Sequence, residues 1–417
     1  MYKRLPLVGI LIPFLSFAQM SSMNDAGMYL MNMASGTSMN PDAAPMAMLM
    51  RSAGGWSLMF MGQAFIVDTQ QCGPRGGDKL YSANSAMFSA SHSLAGGTFQ
   101  FQSMISLEPL TITGERYPEL YQTGETAYGR AIVDGQHPHN FLMGLGVDYA
   151  HSIGGGTILQ LYYAPVGDPA LGPVAYPHRA SAEELPQAPL SHHWQDSTHI
   201  SANVATVAIK HAWLRLEASG FHGAEPGENR WKLPWGAMDS WSGRLSVAPA
   251  SDWSMQVSAG RITYPEAESP GDVIRTTASV SYSKPMGAGE AWSSSLIWGR
   301  NHATDTGRNS NSYLLESVYP VHHRNFVTGR IEYVDKDELF ANDPVLEAHL
   351  DRIAGSTFRI GAYNAGYTRD VGTFHMVETG IGANATLYAL PSAIKPYYGD
   401  RPWGVSVFLR VRLKPGR

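Results

Sequence analysis

Hydrophobic and polar residues alternate along most of residues 56–413, with the two-residue period that is typical of a β-strand. Ile274 and Val280 lie on one face of such a stretch, whereas Arg275 and Ser279 lie on the other. The polar face carries mostly Ser, Thr, Gly and Gln with an occasional Arg, although the outer face of a soluble sandwich would carry many charges. The pattern therefore predicts a transmembrane antiparallel β-barrel, with lipid outside and a polar lumen.

Turn and loop signals divide this region into about 16 strands, with a range of roughly 14 to 18. The predicted strands lie near 56–68, 79–92, 97–108, 140–152, 156–164, 200–209, 211–222, 239–249, 252–261, 272–284, 290–302, 311–320, 324–336, 355–368, 373–386 and 402–413. Tight connections are predicted near 93–96, 153–155, 210, 250–251, 285–289, 321–323 and 369–372. Long connections alternate with them, which predicts an all-β up-and-down barrel with tight periplasmic turns and long extracellular loops.

Aromatic residues near the predicted strand ends are expected to face the two membrane interfaces, as the girdles of outer-membrane barrels do. The alternative is the general enrichment of aromatic residues in strands. The candidates are Trp56, Tyr81, Tyr149, Tyr162, Tyr163, Trp241, Trp253, Trp292, Trp298, Tyr319, Tyr333 and Trp403.

The N-terminus has the order of an export signal. Lys3 and Arg4 precede an apolar stretch over 5–17, and Ala18 completes a small–large–small sequence. We expect cleavage after Ala18, because about 13 apolar residues are too few for a bilayer that needs about 20. The predicted organisation is a signal peptide over 1–18, a Met-rich periplasmic or plug segment over 19–55, a barrel over 56–413 and a tail over 414–417.

Composition excludes several other classes of protein. Charged residues make up 16% of the chain, against roughly 25% in soluble proteins, and a net charge of −5 gives no reason to expect a nucleic-acid partner. Cys72 is the single cysteine, so neither a disulfide framework nor a cysteine zinc site is possible. The sequence contains neither G-x-S-x-G nor H-E-x-x-H, and we expect no enzyme activity. An outer-membrane hydrolase with Ser and His on the barrel wall is the third alternative.

The alternation, the loop asymmetry and the signal peptide resemble those of Gram-negative outer-membrane β-barrels of porin-like size. The segments DTQQCGPRGGDK over 68–79 and VDGQHPHNF over 133–141 are similar to stretches of uncharacterised outer-membrane proteins with a Met-rich start. This resemblance implies an outer-membrane location and passive solute passage or a binding role. It implies no catalytic residues.

Methionine is the first candidate for chemistry. Of 19 methionines, 11 lie between Met20 and Met61, and M-x-M spacing there suits a soft metal, because thioether sulfur is a ligand for Cu(I). The preferred interpretation is an apolar segment that plugs the barrel or packs on its mouth. The candidate copper ligands are Met28, Met31, Met33, Met46, Met48 and Met50.

Histidine is the second candidate. The candidate ligands lie in two predicted long loops and their edges: His137, His139, His192, His193 and His199. Pro138 favours extended backbone, which would direct His137 and His139 to opposite sides. A shared metal site would therefore need a turn or a second loop. The preferred interpretation is a loop network in which the histidines hydrogen-bond to backbone and carboxylates.

Arginine on the polar face is the third feature. The candidates for the lumen are Arg215, Arg244, Arg275, Arg330, Arg410 and Arg412. A ring of arginines in a narrow pore would favour anions, whereas pairing with Glu217, Glu332 or Glu378 would instead make the barrel rigid. The sequence leaves both alternatives open.

These patterns predict an outer-membrane barrel that passes small solutes passively or has a structural role. We expect no cofactor, with copper binding or transport through Met and His as the alternative. The expected partners are outer-membrane lipid, the barrel-assembly machinery and small solutes.

Overall fold

The computed structural model of the protein describes residues 24–267, 271–287, 289–355 and 357–414. The predicted signal peptide over 1–18, its cleavage site and the tail from residue 415 onward lie outside these residues. Among the helices of the described chain, none is long and apolar enough to cross a membrane.

The described residues form 21 strands and five short α-helices. The strands β1 to β21 span Met33–Ser35, Ser38–Met39, Met48–Ala53, Trp56–Cys72, Gly77–Leu94, Gly97–Ile105, Tyr117–Ala127, Arg130–Gln136, Leu142–Gly154, Thr157–Gly167, Ser201–His211, Leu214–His222, Ser240–Val247, Trp253–Ile262, Val273–Gly287, Glu290–Ala303, Asn309–Val321, Asn325–Lys336, Phe358–Phe374, Val377–Ala389 and Trp403–Leu413. The helices α1 to α5 span Asp25–Met31, Glu108–Thr111, His192–Gln195, Pro344–Ala354 and Lys395–Tyr398.

Sixteen of the strands, β4 to β6 and β9 to β21, form one closed antiparallel barrel, and β3 adds to its wall. The last strand closes the ring, because β21 pairs with β4 from Trp403 opposite Cys72 to Arg412 opposite Gln63. The first residues of β4, from Trp56 to Met61, pair with β3 instead of β21. Closure matters because a backbone group that faces lipid has no water to bind. The predicted fold class, an all-β antiparallel barrel of about 16 strands, is confirmed.

Short connections lie at one end of the barrel and most long connections lie at the other, as the sequence predicts, although the connections 73–76 and 304–308 at the second end are also short. One end has turns such as 95–96, 155–156 and 212–213, whereas the other end has long connections such as 106–141 and 168–200. The turn predicted near 369–372 is wrong. Strand β19 continues to Phe374, and the register shifts between Asp370 and Gly372. This short irregularity within a strand resembles a turn in sequence, since a β-bulge is also a place where glycine is tolerated.

The two faces of each strand differ as a membrane barrel requires. In β12, Leu214 and Leu216 are exposed, whereas Arg215 and Glu217 are buried in the lumen. A row of aromatic rings crosses four neighbouring strands near the turn end of the barrel. The centroid distances are 4.7 Å for Trp253–Tyr282, 5.5 Å for Tyr282–Trp292 and 5.9 Å for Trp292–Tyr319. The row has the position of an interfacial girdle.

Two tyrosines predicted for the girdles instead face the lumen. Tyr81 is buried and stacks on Tyr117 of the inserted strand β7, with ring centroids 4.2 Å apart. Tyr162 is also buried, whereas its neighbour Tyr163 is exposed. Because consecutive residues of a strand point to opposite faces, Tyr162 and Tyr163 could not both have faced lipid.

Three chain segments fill the lumen. They are residues 24–47, the connection 106–141 with the hairpin β7–β8, and the connection 168–200 with α3; we call the last one the lumen insert. The N-terminal segment is held by the wall, since the Tyr29 hydroxyl donates to Gln160 and the Ser254 hydroxyl donates to the Met39 carbonyl. Nearly all of the lumen insert is buried. The interior is therefore largely occupied by the protein's own chain.

Candidate functional site

All six predicted lumen arginines are buried and face the interior. On β12 and β13, Arg215 and Arg244 share Glu217, at 3.1 Å and 2.9 Å. Both also donate to the main-chain oxygen of Thr37 in the N-terminal segment. These arginines therefore hold the inserted segment as well as balancing a wall carboxylate.

The remaining arginines tie the wall to the lumen insert. Arg330 lies 2.9 Å from Glu316, which also accepts from Arg179 of the insert. Arg410 contacts Glu184 of the insert together with Asp370 and Glu378 of the wall. Arg412 lies 3.1 Å from the same Glu184 and 2.6 Å from Glu378.

Arg275 and Glu332 differ from the other predicted lumen charges. Arg275 forms no ion pair within the described chain and donates to the Ser197 hydroxyl and the His193 carbonyl. Glu332 has no ion-pair partner among the described residues and instead accepts from the backbone N–H groups of Leu190 and Ser191. Because most of the arginines have carboxylate partners, little uncompensated positive charge is available to select anions.

The predicted histidines converge in the lumen. Ring centroids are 5.4 Å apart for His139–His199, 5.3 Å for His192–His199, 5.2 Å for His192–His193 and 5.8 Å for His137–His193. His137 therefore meets His193 while His139 meets His199, so the two residues that flank Pro138 approach different partners, as an extended backbone would direct them. The five rings form one chain of contacts, which we call the histidine ladder.

Carboxylates and backbone oxygens anchor most of the ladder. His139 Nδ1 lies 3.0 Å from Glu108, His192 Nδ1 lies 2.7 Å from Asp196, and His199 Nδ1 lies 2.8 Å from the Asp196 carbonyl. Burial lowers the pKa of the His199 imidazole well below its usual value, which keeps this ring uncharged at neutral pH.

His193 differs electrostatically from the rest of the ladder. Burial opposes protonation of its imidazole, but the carboxylates of Glu225 and Glu266 raise the pKa of His193 to about 10. Its Nδ1 lies 3.5 Å from Glu225 and 3.2 Å from Glu266, without a well-aligned hydrogen bond to either carboxylate. His193 is thus a buried donor that faces two acidic side chains.

The predicted methionine ligands are dispersed. Met28 is exposed, Met33 packs with α1 and the wall, and Met31, Met46 and Met50 are partly exposed. Met48 on β3 alone joins a larger group inside the barrel. That group contains six methionines, which we call the methionine cluster: Met48, Met59, Met61, Met87, Met104 and Met143. Five of them were not among the sequence candidates. They come from β4, β5, β6 and β9, where alternation directs them to the lumen, and Met59 and Met61 share β4.

Small cavities remain between the inserts and the wall. One of about 20 Å³ is lined by Met87, Met104, Met143 and His199 among others. A second of about 40 Å³ lies beside Glu108 and His139, and a third of about 30 Å³ lies beside Arg330. Since a water needs about 10–15 Å³, each of these cavities has room for one to a few waters.

The comparisons with known proteins rest on structure. No family model matches the chain, and no curated protein matches its sequence. The anion-selective porin from Comamonas acidovorans is 12% identical with a TM-score of 0.52, and the match covers 86% of this chain and all 100% of the porin. Salmonella typhi OmpF, in a complex with daunomycin, is 9% identical with a TM-score of 0.51, over 88% of this chain and 100% of OmpF.

The outer membrane channel DcaP of Acinetobacter baumannii gives a similar result. It is 8% identical with a TM-score of 0.50, over 87% of this chain and 99% of DcaP. At these identities the likeness defines the fold. The protein has the porin-like fold of an outer-membrane β-barrel, which confirms the resemblance seen in the sequence.

Proposed function

We propose that the protein lies in the outer membrane and passes small solutes passively through a narrowed lumen. The observation that carries this proposal is the closed 16-strand barrel with an apolar outside and a polar, charge-paired inside. The similar solved structures named above are a porin, OmpF and a channel, which favours a channel over an enzyme. The long connections would face the cell exterior, and the barrel-assembly machinery would insert the chain.

The inserts determine the expected size of the pathway. The lumen insert and residues 24–47 occupy the interior, and the three cavities described above each have room for only one to a few waters. We therefore expect a conductance well below that of an open porin with the same number of strands. Because most lumen arginines are paired, we also expect little preference between anions and cations.

Planar-bilayer recording on the full chain tests this proposal. Folded protein should produce discrete, small steps of current, and liposomes that contain it should admit small polar solutes but exclude larger ones. A shift in gel mobility between unheated and heated samples would show that the barrel is folded. Folded protein that yields neither current steps nor solute entry would refute passive passage.

We propose copper binding as the second candidate function, and the methionine cluster is the observation that favours it. Three of its members line one small cavity together with His199, whose Nε2 has no hydrogen-bond partner among the described residues. Thioether sulfur and imidazole nitrogen both suit Cu(I), and a thioether needs no deprotonation. The ordinary role of such a cluster is irregular packing, so the test must separate binding from packing.

Two sets of Met→Leu substitutions make that separation. A variant of Met87, Met104 and Met143 should lose Cu(I) affinity while it stays folded, since Leu replaces Met at nearly constant volume. A second variant that changes Met28, Met31, Met33, Met46, Met48 and Met50 tests the N-terminal candidates, and Met376→Leu at an exposed turn is the control. Equal Cu(I) affinity in all of these proteins would reject the copper function.

A further inference from the structure

We propose that His193, Glu225 and Glu266 form a binding site for a divalent transition-metal cation such as Zn²⁺ at the long-connection end of the barrel. One donor atom from each residue lies within 4.8 Å of the other two. Imidazole and carboxylate are ligands that suit Zn²⁺ and its neighbours in the first transition row. The site is separate from the methionine cluster and independent of solute passage.

The distances from His193 to the two carboxylates are close to those within a coordination shell, and the two carboxylates lie within 4.8 Å of each other. His193 Nδ1 lies 3.5 Å from Glu225 Oε1 and 3.2 Å from Glu266 Oε1. Ligands placed tetrahedrally at about 2.0–2.1 Å from one zinc ion are themselves about 3.3 Å apart. A metal between the three atoms would therefore need only small side-chain adjustments.

The donor atoms of His193 and Glu225 are buried and form no well-aligned hydrogen bond among the described residues. These atoms are both ring nitrogens of His193 and both carboxylate oxygens of Glu225. A buried polar atom without a partner carries a cost on the order of 1–3 kcal/mol, which ligation of a cation would remove.

Two hydrogen bonds hold the elements of the site together. Helix α3, which carries His193, is fixed to the wall by Trp194 Nε1, which donates to the Ser310 hydroxyl at 2.8 Å. The connection that carries Glu225 is joined to the one that carries Glu266, because the Glu225 backbone N–H donates to the Pro265 carbonyl at 2.9 Å. The two acidic residues are thus brought to the histidine by the fold rather than by sequence proximity.

The surrounding charge permits a cation. Two carboxylates contribute two negative charges, and the positive charge of Arg275, which donates to the His193 carbonyl at 2.6 Å, compensates one of them. One negative charge remains if His193 is neutral, as a metal ligand must be. The alternative occupant is a proton, which would make His193 an imidazolium between the two carboxylates.

Metal titration of the full, detergent-folded protein distinguishes the metal from the proton. After treatment with a chelator, wild type should bind one Zn²⁺ per chain in calorimetry, and Co²⁺ should give the visible absorption of a low-symmetry site. Glu225→Gln and Glu266→Gln keep the side-chain volume and should each weaken binding about tenfold or more, since even the loss of a second-shell partner costs about 10–100-fold.

Glu228→Gln is the matched control, because Glu228 lies on the same connection but outside the site and accepts from the Gly129 backbone. It should bind Zn²⁺ as wild type does. Heat-modified gel mobility reports the fold of each variant, and Glu225 and Glu266 provide two independent tests if one variant misfolds. Wild type that binds no Zn²⁺, or folded Glu→Gln variants that bind it as tightly as Glu228→Gln, would overturn the proposal in favour of the protonated ion pair.

Discussion

Arg410 provides the most direct test of how the lumen insert is held. Its guanidinium is fully buried and contacts three carboxylates, those of Glu184 on the insert and of Asp370 and Glu378 on the wall. Replacement by Met keeps most of the side-chain length and removes the charge. The variant Arg410→Met therefore isolates the electrostatic link between the insert and the barrel.

The expected loss in free energy of unfolding depends on which carboxylates keep an arginine partner when Arg410 is removed. Glu184 and Glu378 keep Arg412, at 3.1 Å and 2.6 Å, but Asp370 loses its ion-pair partner. Removal of one member of a buried pair costs about 3–5 kcal/mol, because an uncompensated charge is left behind. In Glu184→Gln both arginines keep another carboxylate partner. We therefore expect the free energy of unfolding to fall by a smaller amount, about 1.5–3 kcal/mol, which is typical of a hydrogen bond to a charged group.

Urea unfolding of the protein in vesicles, followed by tryptophan fluorescence and gel mobility, measures both losses. Arg308→Met is the control, since the Arg308–Asp337 pair at 3.4 Å is much more exposed and should contribute about 0–1 kcal/mol. A loosened insert should also raise the single-channel conductance of Arg410→Met. If Arg410→Met is no less stable than Arg308→Met, the buried ion pairs do not hold the lumen insert.

Two further perturbations address the other lumen segments. Burial raises the pKa of Glu119 on β7 to about 8, so the folded state binds this proton more tightly than the unfolded state and wild-type stability should fall as pH rises from about 4.5 to about 8. Glu119→Gln should match wild type near pH 5 and exceed it near pH 9 in urea unfolding; equal pH dependence would contradict this. Gly36→Ala places a Cβ 2.5 Å from the Asp168 Cβ. Gly54→Ala is the control, because Gly54 has a similar positive φ but open space around it. The free energy of unfolding should therefore fall by about 1–3 kcal/mol more in Gly36→Ala than in Gly54→Ala. Equal stability of the two alanine variants would mean that residues 24–47 do not pack in the lumen.

The barrel could be predicted from the sequence because its strands obey a local rule. Side chains alternate between lipid and lumen, so Leu214 and Arg215 have opposite environments that a two-residue period encodes directly. The predicted turn near 369–372 failed where a register shift after Asp370 imitates a turn while the strand continues. Strand β3 was also missed, because the Met-rich segment was interpreted as a periplasmic or plug segment rather than as a partner for β4.

The contents of the lumen follow no such local rule. His137 and His193 are far apart in sequence and come from two different connections, and they meet only because both connections fold inward between the walls. The sequence did predict that Pro138 would send His137 and His139 to opposite sides, and the structure gives each its own partner. The sequence did not predict that a second connection, the lumen insert, supplies those partners. Glu225 and Glu266 carried no signal at all, since a backbone hydrogen bond between two further connections brings them to His193. A site assembled from three such connections depends on how the connections pack inside the barrel. The two-residue hydrophobic period reports which face of a strand meets lipid, and it carries no information about that packing.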